Sequence, residues 1–260
     1  MLAPHADDET FGCGGTIALH AASGDPVMVV VLTDGARGNI SRRYLDAEYI
    51  RMRRDEAREA CRILGAADPI FLEFADRSLW GEIPRARGKL MEILEDFRPE
   101  RIYAPSMLEY HPDHRAAAAL LLTFMGDVSP DLEIAFWEIN QPLCVNCLVD
   151  ISPVLSQKEA AIRVYKTQLE ELDYADHILS LNRFRAMTLP LPTTHAEGFS
   201  LWPAYGIRRW LSYFDRSRKP PRMHGYTGLY ERQLPFLDVH YGVEPSVAGI
   251  CASIHSFFVK

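Results

Sequence analysis

Val27-Met-Val-Val-Val-Leu-Thr-Asp-Gly35 is apolar without interruption from Val27 to Leu32 and then turns polar. A strand with one wet face alternates apolar and polar residues. A run that is apolar on both faces reads as a central strand of a parallel sheet covered by helices. Thr33-Asp34-Gly35 closes the run as a turn signal. Beyond it, a helix is expected over roughly Ala47 to Leu64, stopped by Gly65. Ile70–Phe74 and Arg101–Ala104 read as further strands. Between them, Pro84 to Phe97 reads as a helix with its proline in the first turn. The Ala116–Leu122 stretch reads as a buried helix, and Ile134–Ile139 and Val145–Val149 as strands. A serine cap at Ser152 and Pro153 then open a helix expected to reach about Leu172.

Strands alternating with helices in this rhythm predict a doubly wound, mostly parallel α/β sheet of Rossmann-like type, with helices on both faces. Residues 1–200 are expected to form this domain, and 201–260 an irregular C-terminal appendage. The chain has 260 residues, enough for a core without disulfides or structural metals. A net charge of −7 argues against general nucleic-acid binding. Five cysteines without a framework favour a reducing cytoplasm. No signal peptide is expected from the opening residues, and no apolar run reads as long enough to cross a bilayer. A homo-oligomer is left open.

Sheets of this kind place their sites at the carboxyl ends of strands. Two clusters fall there. The first is His5-Ala-Asp-Asp-Glu9, followed by Gly12-Cys-Gly-Gly15, which is read as a strand-to-helix turn leading into a helix over Thr16–Ala22. His5 and Asp8 are three apart and can face one point, as an imidazole and a carboxylate that suit zinc or a similar divalent ion. The second is Tyr110-His-Pro-Asp-His114. Together they offer His5, Asp8 and one of His111 or His114 as three ligands, leaving a fourth position for water. Asp7, free of ligation, can take a proton from that water. The histidine left over can stabilise an oxyanion or protonate a leaving amine. Asp113 can hydrogen-bond a histidine, and Glu9 can support the helix start from behind. Tyr110 and Trp80 can stack on a sugar ring.

Pro4-His-Ala-Asp-Asp-Glu-Thr10 with Gly12-Cys-Gly-Gly15, Leu32-Thr-Asp-Gly35 and His111-Pro-Asp-His114 resembles the PIG-L (LmbE-like) family of metal-dependent N-deacetylases, in motif order over roughly Met1 to Phe199. Members remove acetyl groups from N-acetylglucosamine-type sugars, including intermediates of glycosylphosphatidylinositol, mycothiol and bacillithiol biosynthesis. The resemblance implies His5, Asp8 and His114 as ligands of Zn2+, with Fe2+ an alternative. It implies Asp7 as general base and His111 as the oxyanion-stabilising or general-acid histidine. It implies that Arg53 and Glu56 match a family arginine and glutamate, that Asp76 binds a sugar hydroxyl, and that Glu197 in His195-Ala-Glu-Gly-Phe199 comes near the site; with Tyr110, the residues Arg53, Asp76 and Glu197 are the expected substrate contacts. The expected substrate is an amino sugar, free or in a glycoconjugate. A metallo-amidase acting on another conjugate is one alternative. A non-catalytic phosphate- or nucleotide-binding module on the Gly12–Gly15 turn is another.

The family has proline where Ala6 stands, and a longer apolar strand before the histidine. Here Met1-Leu-Ala-Pro4 leads in, so the first strand is expected to be a stub, as from a start lying upstream of Met1. Neighbouring strands are then expected to expose backbone groups. Cys144-Val-Asn-Cys147 is read as structural, and Arg216–Arg222 as a solvated basic loop.

Overall fold

The structure, a computed structural model, describes residues 1–214. Among these, the elements run β1 (Leu2–Ala3), α1 (Asp8–Ala22), β2 (Val30–Thr33), α2 (Asp46–Leu64), β3 (Ile70–Phe74), α3 (Leu79–Phe97) and β4 (Arg101–Pro105). There follow α4 (Pro112–Leu122), β5 (Glu133–Trp137), β6 (Cys147–Asp150), α5 (Leu155–Ile162), α6 (Lys166–Leu169), α7 (Tyr174–Arg185), β7 (Ala196–Pro203) and α8 (Ala204–Phe214). Strands β1, β2 and β3 form a parallel sheet in the order β1-β2-β3. A second sheet has the order β4-β5-β7-β6. Its β4–β5 pair is parallel, while β7 runs antiparallel to both β5 and β6. The two sheets meet where β1 lies beside β4.

The both-face apolarity of the opening run is realised as two cores. Val30 and Leu32 join Leu2, Leu72, Ile102 and residues of α3 and α4. Val29 and Val31 join Ala3, Phe11, Ile17 and residues of α2 and α5 on the other face. The laddered part of β2 begins at Val30 rather than Val27, yet the run before it is already tied to the β3 side. Val27 O accepts from Ala67 N (3.3 Å) and Val29 O from Ile70 N (2.9 Å).

Strand β1 is the expected stub. Its flanks extend the pairing with β2: Met1 O accepts from Val30 N and Pro4 O from Thr33 N, both at 2.9 Å. The Met1 ammonium donates to Met28 O at 2.8 Å, and burial lowers its pKa. A hollow of about 470 Å3 lies at the amino ends of β2 and β4, lined by Met1, Met28, Leu94, Ile102 and Tyr103 among others.

Several local expectations are corrected. Gly12–Gly15 is no strand-to-helix turn; the helix starts at Asp8 and the glycines lie inside it. They bring α1 onto the sheet: a Cβ on Gly12 would stand 2.6 Å from the Trp137 ring, and one on Gly15 2.5 Å from Ile151. No glycine loop is therefore left to cradle a phosphate. Helix α3 starts at Leu79, so Pro84 sits beyond its first turn. The helix expected to reach Leu172 breaks after Ile162. Tertiary bonds dictate the break: Tyr165 reaches Glu9, Thr167 binds Glu56, and Gln168 binds the Tyr49 hydroxyl. Strand β7 runs across residue 200, and α8 sends Ala204 and Ile207 into the same core. Cys144 and Cys147 are free. The rest of the expected appendage, with the 216–222 loop, lies outside the described residues. No helix among the described residues is long and apolar enough to cross a membrane.

Candidate metal centre

The carboxyl ends of β1, β3 and β4 converge on one point. Pro4 and the turn after β1 deliver His5, Asp7 and Asp8; the loop after β3 delivers Asp76; the loop after β4 delivers His111, Asp113 and His114. Asp7 N and Asp8 N both bond His5 O (3.1 and 3.4 Å), and Thr10 N bonds Asp7 O (3.0 Å), so the motif folds as a tight turn entering α1. On the other side, Pro112 occupies the first turn of α4, where a missing N–H leaves nothing unsatisfied.

Asp8 Oδ2 lies 3.1 Å from His5 Nδ1 and 3.2 Å from His114 Nε2. Ligand atoms bound at about 2.0–2.1 Å around a tetrahedral ion stand roughly 3.3–3.4 Å apart, so this spacing fits a shared divalent cation. The donor set, two imidazoles and a carboxylate, suits zinc and other borderline ions. The His111 ring completes the cluster, with its centroid 4.6 Å from that of His5, edge to face. Among the described residues, two groups have all their donor atoms within 4.8 Å of one another: His5, His111 and His114, and His5, Asp76 and Asp113.

The electrostatics ask for positive charge at this point. Burial alone would lower the pKa of His5, but Asp113, Asp76 and Asp8 overcome it and raise it well above the ordinary imidazole value. For His114, burial lowers and Asp8 raises, with a net rise to about 9. Burial would raise Asp8, yet His114 and His5 pull it well below the usual carboxylate range. A cation among these carboxylates would supply the positive charge that two imidazolium ions otherwise bring.

Asp7 has a different setting. Burial pushes its carboxyl up to about 7, against the pull of Arg53. Arg53 Nη2 stands 2.8 Å from Asp7 Oδ2, and the guanidinium also donates to Ala6 O (2.8 Å) and Gly35 O (3.2 Å). His111 Nδ1 accepts from Asp113 N at 3.2 Å, as the N-cap of α4. The proton of the neutral ring therefore sits on Nε2. Burial and the neighbouring His5 and His114 lower the His111 pKa to about 4, so this ring is neutral at pH 7.

Asp113 and Glu9 lie where the sequence reading puts them, while the expected substrate contacts mostly face the protein. Asp113 is fully buried; it accepts from Arg77 N (2.5 Å) and Leu79 N (3.2 Å) and stands 3.5 Å from His5 Nε2. Glu9 accepts from Tyr165 and from Thr10 Oγ1 (2.9 Å) beneath α1. Asp76 faces His5 Nε2 at 3.3 Å and takes the Arg37 N–H at 2.9 Å, so both its oxygens are held by protein rather than presented to a sugar. Arg53 likewise faces Asp7, and Glu56 anchors Thr167. Glu197 is fully buried against Lys158 and the amides of Gly15 and Thr16, leaving no face for a sugar. Of the four expected substrate contacts, only Tyr110 faces solvent, at 77% exposure beside His111.

Nothing in the sequence marks Glu109 as a site residue. Its carboxylate is fully buried, takes amide protons from Ile139 (2.6 Å) and Asn140 (3.2 Å), and stands 3.5 Å from His114 Nδ1. At this distance His114 Nδ1 makes no hydrogen bond with it, so the carboxylate faces the ring as a charge on the side away from Asp8. Its neighbours come from the loop after β5, which no short motif announces. Asp34 Oδ1 accepts from Asp76 N (3.1 Å), linking the loop after β2 to the one after β3.

The chain is similar to known proteins of one family. The chain matches the family PIG-L: GlcNAc-PI de-N-acetylase over residues 1–125. It is 31% identical over 192 residues to the diacetylchitobiose deacetylase of Thermococcus kodakarensis, covering 65% of this chain and 69% of that protein. The structure resembles N,N'-diacetylchitobiose deacetylase from Pyrococcus horikoshii with a TM-score of 0.68 and 26% identity, over 78% of this chain and 82% of the other. It shares its fold with GalB, the 4-carboxy-2-hydroxymuconate hydratase of Pseudomonas putida (TM-score 0.65, 24% identity, 78% of this chain and 95% of the other). With both halves of the paired motif at one point of the sheet, and a relative aligned over most of its length, this chain belongs to the PIG-L family.

Proposed function

We propose that the chain hydrolyses the N-acetyl group of an amino sugar or of an N-acetylglucosamine-containing glycoconjugate, with a divalent ion held by His5, Asp8 and His114. The observation that carries this reading is Asp8 Oδ2, within 3.1 Å of His5 Nδ1 and 3.2 Å of His114 Nε2, with Asp7 and His111 on either side. Zinc suits the two-nitrogen, one-oxygen donor set. Its diacetylchitobiose-deacetylating relatives support the acetamido substrate.

Such an ion, when bound, acidifies water and polarises a carbonyl. The chain's own residues supply the rest. Asp7, with a carboxyl near neutrality, accepts a proton from the water that attacks the acetamide carbon. His111 donates its Nε2–H to the carbonyl oxygen as that oxygen gains negative charge. The C–N bond then breaks, and the nitrogen takes the proton held by Asp7. The remaining hydroxyl proton of the acid passes to the amine or to solvent, and the products are acetate and the sugar ammonium. Asp113 and Asp76 hold the ring of His5 in orientation throughout, and the Glu109 carboxylate faces that of His114.

The test is acetate release from free N-acetylglucosamine, diacetylchitobiose, and nucleotide- and lipid-linked N-acetylglucosamine, with metal content measured on the same preparation. Stoichiometric divalent metal and chelator-sensitive acetate release are expected. Metal-replete protein that frees acetate from none of the panel would overturn the reading.

A further inference from the structure

Helix α1 is interrupted. Cys13 has φ −145° and ψ 27°, so the helix consists of a front turn from Asp8 and a rear segment to Ala22. A break of this kind strands backbone carbonyls in front of it and N–H groups behind it. Here buried side chains from three later elements meet them. Glu197 of β7 accepts from Gly15 N (2.8 Å) through Oε1, and from Thr16 N (2.8 Å) and Thr16 Oγ1 (2.6 Å) through Oε2. Lys158 of α5 donates to Phe11 O (3.1 Å), to Asn182 Oδ1 of α7 (2.8 Å) and to Glu197 Oε1 (2.6 Å). Both charged side chains are completely buried.

A buried ion pair is a poor source of stability, because desolvation offsets its attraction and an apolar replacement is often neutral or better. What this pair can do is fix geometry. It caps the rear segment with the carboxylate and the front turn with the ammonium, replacing the bonds a continuous helix would make. The front turn carries Asp8 and Glu9 and follows Asp7 directly. It is also pressed onto the sheet at Gly12, against Trp137, whose ring meets the His114 ring at 6.0 Å.

We propose that Lys158 and Glu197 are positioning residues: by holding the break in α1, they set the direction in which the front turn presents Asp7 and Asp8 to His114. The inference rests on the reading of His5, Asp8 and His114 as metal ligands. Neither residue touches substrate or ion. The pair acts from behind the helix.

The test is the double variant Lys158→Met/Glu197→Gln, which removes both charges while the amide oxygen still caps the rear segment. Asn182→Ala, which leaves the pair intact but takes one acceptor from Lys158, gives a milder second perturbation should the double variant fail to fold. Three measurements are made against the unaltered chain. In metal-free protein, hydrogen exchange of the amides at 8–12 is expected to quicken about tenfold or more, while the melting temperature changes little. On Co2+ addition, affinity is expected to fall by about tenfold or more, with displaced d–d absorption bands. At saturating metal, kcat is expected to fall with KM unchanged. Unaltered exchange at 8–12 together with an unaltered Co2+ spectrum overturns the proposal, as does a loss of activity that follows the melting temperature alone. Should the unaltered chain bind no Co2+, the ligand assignment fails, and exchange in the metal-free proteins still decides whether the pair holds the turn.

Discussion

Replacing Arg53 by Met should move the pH profile in a defined direction. The guanidinium lies 2.8 Å from Asp7 Oδ2, and the two side chains are only 3% and 8% exposed. At a charge separation of about 4 Å and an effective dielectric constant of about 20, their attraction is about 4 kcal/mol, or roughly 3 pKa units. Arginine beside a carboxylate typically lowers its pKa by about 1–3 units. Burial already pushes Asp7 up to about 7 with Arg53 in place. Without it, the carboxyl should titrate roughly 1–3 units higher. A bound divalent cation lowers the starting point of both proteins alike, so the direction of the shift survives. The base acts only when ionised, so kcat/KM should rise with pH through this pKa, and the acid limb of Arg53→Met should lie at higher pH. For a shift of about 2 units, kcat/KM at any pH below the acid limb of the unaltered protein falls roughly 100-fold, and it recovers above the displaced limb. The assay is acetate release from a neutral acetamido sugar between pH 5 and 10. An acid limb that stays where it was would refute Asp7 as the titrating base. Activity lost equally at every pH would mean that Arg53 acts by holding Ala6 and Gly35 instead.

Other perturbations separate the remaining roles. Asp7→Asn should keep bound metal and lose turnover by about 10²–10⁴-fold, and loss of metal in that variant would mean that ligand and base were exchanged. His111→Ala should lower kcat by about 10²–10³-fold with metal content intact, because it removes one donor to the developing oxyanion. Glu109→Gln should weaken metal affinity by about tenfold or more, read by competition with a chromophoric chelator, because the buried negative charge 3.5 Å from His114 Nδ1 is lost. Gly12→Ala gains up to about 1 kcal/mol of helix propensity but drives a methyl group to 2.6 Å from Trp137, at a cost of about 1–3 kcal/mol. A lower melting temperature is therefore expected, and an unchanged one would mean that α1 lifts freely from the sheet.

The residues proposed as ligands stand out in the sequence because they are local: His5 and Asp8, like His111 and His114, are three apart and sit at strand ends that the apolar runs reveal. The two-faced burial of Val27–Leu32 was equally plain, since Val30 with Leu32 and Val29 with Val31 divide between the cores. What the chain concealed depends on distant partners. Glu197 looks like a site residue beside His195, yet its acceptor oxygens are drawn to α1 by Lys158, Gly15 and Thr16. Arg53 and Asp76 resemble substrate contacts until the folded chain turns them onto Asp7 and His5. The helix expected through Leu172 had good local propensity and lost to bonds made by Tyr165, Thr167 and Gln168. The antiparallel entry of β7 between β5 and β6 leaves no local mark, because its apolar pattern suits either direction.

The seam between the two sheets has a mechanical consequence. His5 and Asp8 follow β1 of one sheet, His114 follows β4 of the other, and the two sheets share no ladder between them. Under the proposed ligand set, an ion bonded to all three is a fastener across that seam, and pulling the halves apart would require releasing it. Thermal denaturation should then be dose-dependent. Free metal at about a thousand times its Kd adds about 4 kcal/mol to the folded state, and titrating a chelator should lower the melting temperature along a continuous curve. The same ion that activates water would thereby set how long the fold survives heat.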